Sequence, residues 1–408
     1  MLSASSCSIV FAAERALWLR KPRPGPVRTR YERNSIMQHA FGLRQATPPR
    51  RAVLLLTIVL ALSVAVPASA RTWSTESLPS LLGSLNGISC LATSGGGHCV
   101  AVGQNITGTG PVVVVSNDGG KTWNAEDLPG GVAGLFTVSC SSVSRCWAAG
   151  EQDTSGNHAA VIATRDGGQS WQRETTPGLP GGFPTPALEK ISCVGQRCLA
   201  TGIRLGFILL TTDGGAHWSV KGLPQGCKGF CPAYTADAVV LTSSSVGYAG
   251  GGNQCGGSRV TQCPGIIWKT TNGGGGWKVV FRSAPFVDAI SCVDPSHCWA
   301  AVATFSTGEV FGSANGGKSW RRQTLPHFGG YFNDISCMRT AHDRCFAVGE
   351  NKGRTAPLIA ETSDGGYNWK LDHSPTGTGP LYGVSMLGTG ARAVGQDSKR
   401  TEARALSS

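Results

Sequence analysis

The sequence predicts an all-β fold: a seven-bladed β-propeller of four-stranded antiparallel blades, closed by an N-terminal strand completing the C-terminal blade. Three observations carry that prediction. One signature occurs six times: SNDGGKTW ending at Trp123, TRDGGQSW at Trp171, TTDGGAHW at Trp218, TTNGGGGW at Trp277, SANGGKSW at Trp320 and TSDGGYNW at Trp369. A second hairpin pattern, an apolar run ending in Cys followed by a Cys-led run, precedes most copies. The two ends of the exported part supply fragments that add up to one further unit.

The signature comes first. Its tryptophans are 48, 47, 59, 43 and 49 residues apart, a blade-sized period. Asp118, Asp166, Asp213 and Asp364 each precede Gly-Gly. Asp bonds nearby backbone amides and Gly accepts positive φ, so each is a tight-turn residue. Asn272 and Asn315 stand at the same place and keep that turn chemistry. The Ser or Thr two positions earlier adds a second oxygen, and the Trp buries a ring on the following strand. Apolar runs such as VVVV at 112–115 and FILL at 207–210 read as the strand before the turn.

The upstream hairpins complete each unit. GISC–HCVAVG, TVSC–RCWAAG, KISC–RCLATG, AISC–HCWAAV and DISC–RCFAVG place Cys90/Cys99, Cys140/Cys146, Cys193/Cys198, Cys292/Cys298 and Cys337/Cys345 across short turns. Facing residues of an antiparallel pair lie within disulfide reach. The unit is therefore strand, turn, strand, loop, strand, Asp-Gly-Gly turn, strand. RTWSTESLP at 71–79 matches a last strand without its turn, and LYGVSMLGTGARAVGQ at 381–396 matches the first two strands. Joined, they make the seventh blade.

The signature resembles the Asp-box, or bacterial neuraminidase repeat, of sialidases, sortilins and xyloglucanase-type glycosidases. The doubled glycine with an AVGE-like second strand resembles the photosystem II stability/assembly factor family of seven-bladed propellers. The likeness covers residues 71–396. It implies a propeller whose box corners are remote from the ligand face, and docking to another protein. That family docks through a basic patch; here Arg321 and Arg322 follow Trp320 and Arg204 stands alone.

The leader is read separately. Residues 50–70 carry a basic flank, an apolar core and Ala68-Ser69-Ala70 before Arg71, a signal peptide with an A-x-A cleavage site. The expected organisation is an N-terminal extension over 1–36, a signal peptide over 37–70 and one propeller domain over 71–408. The chain carries 36 Lys and Arg against 24 Asp and Glu, a net charge of +12. Residues 1–70 hold ten of the bases and two of the acids, leaving 26 against 22, or +4. The basicity belongs to the leader, and no nucleic-acid partner is expected. Fifteen Cys less Cys7 leave an even fourteen, which with the export signal points to oxidised staples and a secreted or cell-surface chain. Cys227, Cys231, Cys255 and Cys263 break the pattern around blade four. They read as two more disulfides bracing an insertion, with a four-thiolate zinc site as the weaker alternative.

Candidate binding residues come from loop geometry. Loops joining fourth to first and second to third strands share one face, opposite the box corners, and function concentrates on such loops. Phe183, Phe230, Tyr234, Tyr331 and Phe332 stand there, either packed in the ordinary way against the blade tops, the favoured reading, or forming an aromatic surface. The ends of the second strands give Gln104, Glu151, Ile203 beside Arg204, Glu350 and Gln396, expected near the rim of the central channel. They read as a polar-ligand or cation site, or as a solvated channel mouth. Asp288 and Asp334 precede first strands and are expected to serve their turns.

Catalysis is the weaker reading. A sialidase-like site needs three arginines, a Tyr nucleophile with a Glu base and an acid Asp; the Arg-Ile-Pro signature is absent and Tyr367 lies inside a box turn. A glycosidase needs two facing carboxylates, for which Glu151 and Glu350 are nominated without a spacing that pairs them. No Gly-x-Ser-x-Gly, His-Glu-x-x-His or P-loop occurs. The expectation is a non-catalytic, monomeric scaffold binding protein or glycan, with no cofactor, no metal and no stable membrane insertion after signal cleavage.

Overall fold

The structure, a computed structural model, describes residues 70–408 apart from 81, 153–157, 180–186, 203–205, 225–233, 254–264, 284–285, 304–306 and 341–342. The signal-peptide reading, Arg204, Phe183, Phe230 and the four extra cysteines therefore fall outside the described residues, as does the side chain of Tyr234.

The described chain forms seven four-stranded antiparallel sheets and no helix. Blade one contains Leu82–Leu91, His98–Asn105, Pro111–Ser116 and Asn124–Ala125. Blades two to six begin at Gly134–Ser142, Lys190–Val194, Tyr234–Leu241, Val287–Cys292 and Gly330–Met338, each followed in order by its other three strands. Blade seven contains Thr378–Leu387, Gly390–Asp397 and Ala403–Ser407, and its outer strand is Ser74–Thr75 from the front of the chain. Ser74 faces Ser407 and Thr75 faces Leu406.

Seven separate cores hold the wheel, one between each pair of neighbouring blades. The strands before the box turns feed them from both faces: the buried run Val113–Val115 points Val113 and Val115 toward blade two and Val114 toward blade seven. A sheet buried on both faces reads as a continuous apolar run. Trp73 packs edge-on against Phe346 at 5.4 Å, tying the front of the chain to blade six as well.

Each box turn follows one wiring. Ser116 Oγ accepts from Gly120 N at 2.7 Å, and Asp118 Oδ1 accepts from Thr122 N at 3.0 Å. The pattern recurs at Asp166, Asp213 and Asp364. Asn272 and Asn315 accept from Gly276 and Ser319 in the same way. The first glycine sits at φ 78° and the second at φ 98° in the Asp118 turn, a region that costs any L side chain energy. The bonds reach four residues forward rather than the two expected for a simple Asx turn. The box tryptophans Trp123, Trp171, Trp218, Trp277, Trp320 and Trp369 are all buried.

The five Cys pairs sit opposite one another in register and are bonded as disulfides: Cys90–Cys99, Cys140–Cys146, Cys193–Cys198, Cys292–Cys298 and Cys337–Cys345. Such short loops constrain the unfolded chain by about 2 kcal/mol each. They point to an oxidising compartment. Among the described residues, no helix is long and apolar enough to cross a membrane.

Two polar rings join the blades. In the inner ring, the Ser in the Ile-Ser-Cys run, or in the matching Val-Ser-Cys and Val-Ser-Met of blades two and seven, accepts the backbone N–H at the Cys position of the next blade. Ser89, Ser139, Ser192, Ser291, Ser336 and Ser385 take the N–H of Cys140, Cys193, Leu241, Cys337, Met386 and Cys90 at 2.9–3.0 Å. Blade four has Val240 at this position. In the outer ring, the residue three after one blade's Trp accepts the next blade's indole N–H: Asp372 from Trp73, Glu76 from Trp123, Glu174 from Trp218 and Gln323 from Trp369.

Candidate functional site

The seven first strands line the axial channel; residues of all seven surround the space there. Near its start, each first strand carries a residue out of step with its partner. The pairing skips Asn86, Phe136, Asp237, Asp288, Asn333 and Tyr382. In blade three, Glu189 N donates to Thr201 O, although Lys190 is already Thr201's partner. A bulge re-aims a side chain, and here all seven line one cavity of about 370 Å³. The glycine ending several second strands makes the close approach possible. A Cβ at Gly103 or Gly349 would strike the carbonyl of Ser84 or Tyr331.

Equivalent positions do different work. Asn86 and Asn333 donate their amides to the next blade's Leu135 O at 2.9 Å and Leu381 O at 2.8 Å. Blades three, four and five put acids there instead: Glu189, Asp237 and Asp288. Asp237 Oδ2 accepts from Thr235 of its own blade at 2.7 Å. Asp288 Oδ2 is sealed from solvent and has no hydrogen-bond partner. Burial, with Asp237 close by, pushes Glu189 to about 8. Burial and the neighbouring Asp237 likewise push Asp288 to about 8, and burial pushes Asp237 to about 6 against the pull of Thr235. Lys190, the one cation lining this cavity among the described residues, is committed to Asp334 across the channel at 2.9 Å. Asp334 also accepts from Val384 N at 2.9 Å.

Asp288 and Asp334 thus do not serve turns: one lines the channel from a bulge, and the other braces Lys190 and blade seven. Asp288 sits on a bulge, which leaves no mark in the sequence, and Asp334 lies inside Gly330–Met338 paired with Val348.

The second-strand ring lies one strand further from the axis than expected. Gln104, Glu151, Glu350 and Gln396 pair outside the first strands, and none lines the cavity. Gln396 accepts from the channel's Tyr382 Oη at 2.9 Å and donates to Gly83 O at 3.1 Å, so it orients a lining residue. Glu350 is held by Arg354 at 3.0 Å and Arg400 at 3.3 Å; burial raises its carboxyl while both guanidiniums lower it. Tyr331 faces Glu350 in register. Phe332 does not form part of an exposed aromatic surface. It is 2% exposed and packs edge-on against Phe328 at 5.1 Å in the core between blades five and six, because its strand position points between sheets.

His98, Cys140 and Cys146 bring potential metal-ligand atoms together. Both cysteines belong to one disulfide and cannot ligate as thiolates.

No protein-family model matches the sequence, and no curated protein matches it. Solved structures do resemble the fold. YCF48 from Cyanidioschyzon merolae is 18% identical with a TM-score of 0.54, over 83% of this chain and 98% of that one. The GH74 xyloglucanase from Xanthomonas campestris is 13% identical with a TM-score of 0.54, over 79% of this chain and 53% of the enzyme. The RRP9 WD40 repeats are 12% identical with a TM-score of 0.55, over 83% and 98%. The chain is a seven-bladed propeller resembling Asp-box and photosystem II assembly-factor-like proteins, and at these identities the likeness is one of fold.

Proposed function

We propose that this chain is an exported, non-catalytic scaffold that binds a protein partner through the face bearing the fourth-to-first and second-to-third loops. The observation that carries the reading is the axial cavity formed where the first strands begin, at the loop end of a wheel stapled by disulfides. Rigid scaffolds with variable loops are what recognition needs. About 370 Å³ lies at the small end of ligand pockets, enough for one side chain or small molecule at the centre of a wider contact. The resemblance to assembly factors agrees with a protein client.

Photo-crosslinkers at Ile106, 50% exposed in a second-to-third loop, and at Lys352 report on this face; one at Tyr367, 84% exposed in a box turn, reports on the opposite corner. Saturable protein adducts from the first two and not the third carry the proposal. Adducts from Tyr367 alone contradict it.

A hydrolase is the second reading. Glu350 is committed to two arginines, but the channel offers carboxyls held protonated beside the more acidic Asp237, the division a general acid and its partner require. Turnover of fluorogenic glycosides that disappears in Glu189→Gln would replace the scaffold reading.

A further inference from the structure

We propose that the axial channel binds an organic cation, an alkylammonium or guanidinium group, between the carboxylates of Glu189, Asp237 and Asp288 and the rings of Phe136, Phe286 and Tyr382. The inference deepens the binding reading above and rests on it.

Charge is the first argument. Four carboxylates, Glu189, Asp237, Asp288 and Asp334, face this part of the channel against Lys190 alone among the described residues. Lys190 is spent on Asp334. Glu189 and Asp288 feel only the more distant pull of Lys190, which burial outweighs, and a buried carboxylate is costly unless paired. At the same position blades one and six carry Asn bonded to the next blade, and blades two and seven carry Phe136 and Tyr382; Asp237 bonds within its own blade instead.

The second argument is the orphaned oxygen. Asp288 Oδ2 is enclosed, lines the cavity and has no partner. Buried polar atoms in native structures are satisfied, and an exception calls for an explanation. A ligand N–H donor supplies one.

Size and shape select the class of cation. Among the described residues, His98, Cys140 and Cys146 are the only three His, Cys, Asp or Glu side chains whose ligand atoms all lie within 4.8 Å of one another. The three acids are therefore too far apart to close together on one small ion. A planar or tetrahedral nitrogen cation with several donors spans more widely. Phe136, Phe286 and Tyr382 line the same cavity, and aromatic faces attract such cations. Phe286 holds φ at 43°, a backbone state unusual for a bulky residue.

Binding must also expel protons. The titratable groups facing one another are Glu189, Lys190, Asp237, Asp288, Asp334 and Tyr382. The acids raised by burial give up their protons to a cation, so the heat of binding at pH 7 depends on the buffer.

The experiment is isothermal titration of the purified, oxidised full chain with agmatine, with acetyl-Gly-Arg-Gly-amide and with calcium chloride. Saturable binding of an organic probe is expected, weakened about tenfold or more in Glu189→Gln and in Asp288→Asn, the loss of one charged hydrogen bond. Circular dichroism melts check that both variants fold. Lys190→Met frees Asp334 and is expected to tighten binding. Tighter peptide than agmatine identifies a basic side chain of a docked partner; the reverse identifies a free amine. Flat titrations with both organic probes, or unchanged affinity in both acid variants, overturn the proposal. Calcium binding that excludes agmatine and is lost in the same variants replaces it with a metal site. A flat titration beside positive crosslinks at Ile106 and Lys352 removes the cation and leaves the partner.

Discussion

The interface between blades four and five and the one between blades five and six solve the same problem differently. Between five and six, Ser291 takes Cys337 N–H inside and Gln323 takes the Trp369 indole outside. Between four and five, Val240 and Val280 stand at those two positions, and Trp320 Nε1 is buried without a partner. Among the described residues this is the one interface that lacks both polar rings. Aromatic packing takes over: Tyr248, Phe281, Phe311 and Trp320 form a chain of rings 5.3–6.3 Å apart. Tyr248 Oη donates to Pro295 O at 2.8 Å, and Lys269 reaches Gly316 O at 2.7 Å. The same pair of blades supplies two of the three channel acids. Regular interfaces close the wheel, and the irregular one sits beside the site.

Breaking the aromatic chain gives the largest effect. Trp320→Ala is expected to cost about 3–5 kcal/mol by denaturant unfolding, a cavity with no hydrogen bond to replace it. Removing one staple, Cys193→Ser with Cys198→Ser, is expected to cost about 2 kcal/mol. A quarter of that loss would mean that the native turn already closes the loop without it.

Smaller changes sharpen the contrast. Trp369→Phe leaves Gln323 unpaired, whereas Trp320→Phe removes an unpartnered N–H. The first is expected to be more destabilising by about 1 kcal/mol; equal losses would erase the distinction between the two interfaces. Ser139→Ala orphans Cys193 N–H and is expected to cost about 1 kcal/mol.

Much of this was legible beforehand. The box, with glycines that must take positive φ, announced the blade, and the Cys pairs announced their own register. Two things were not. The Ser of Ile-Ser-Cys looked like an ordinary strand residue; its repetition at a fixed offset was the available signal. The channel acids were hidden because a bulge changes which way a residue faces without changing its type. Counting from the second strand places Glu151 and Glu350 near the axis, whereas the first strands line it.

The claim that burial holds the Glu189 and Asp288 carboxyls protonated, with ionisation costing stability, has a direct test in stability against pH. Both bind protons more tightly folded, near 8, than unfolded, at 4.5 and 3.8. Between those limits the folded chain holds more protons, so each carboxyl lowers stability as pH rises through the window. Denaturant unfolding of the wild type and of the Glu189→Gln/Asp288→Asn double variant from pH 4 to pH 9 reads this. The account predicts near-equal stability at pH 4 and a variant increasingly more stable than the wild type toward pH 9. A variant less stable than the wild type at every pH would contradict it, because those carboxylates would then already have partners.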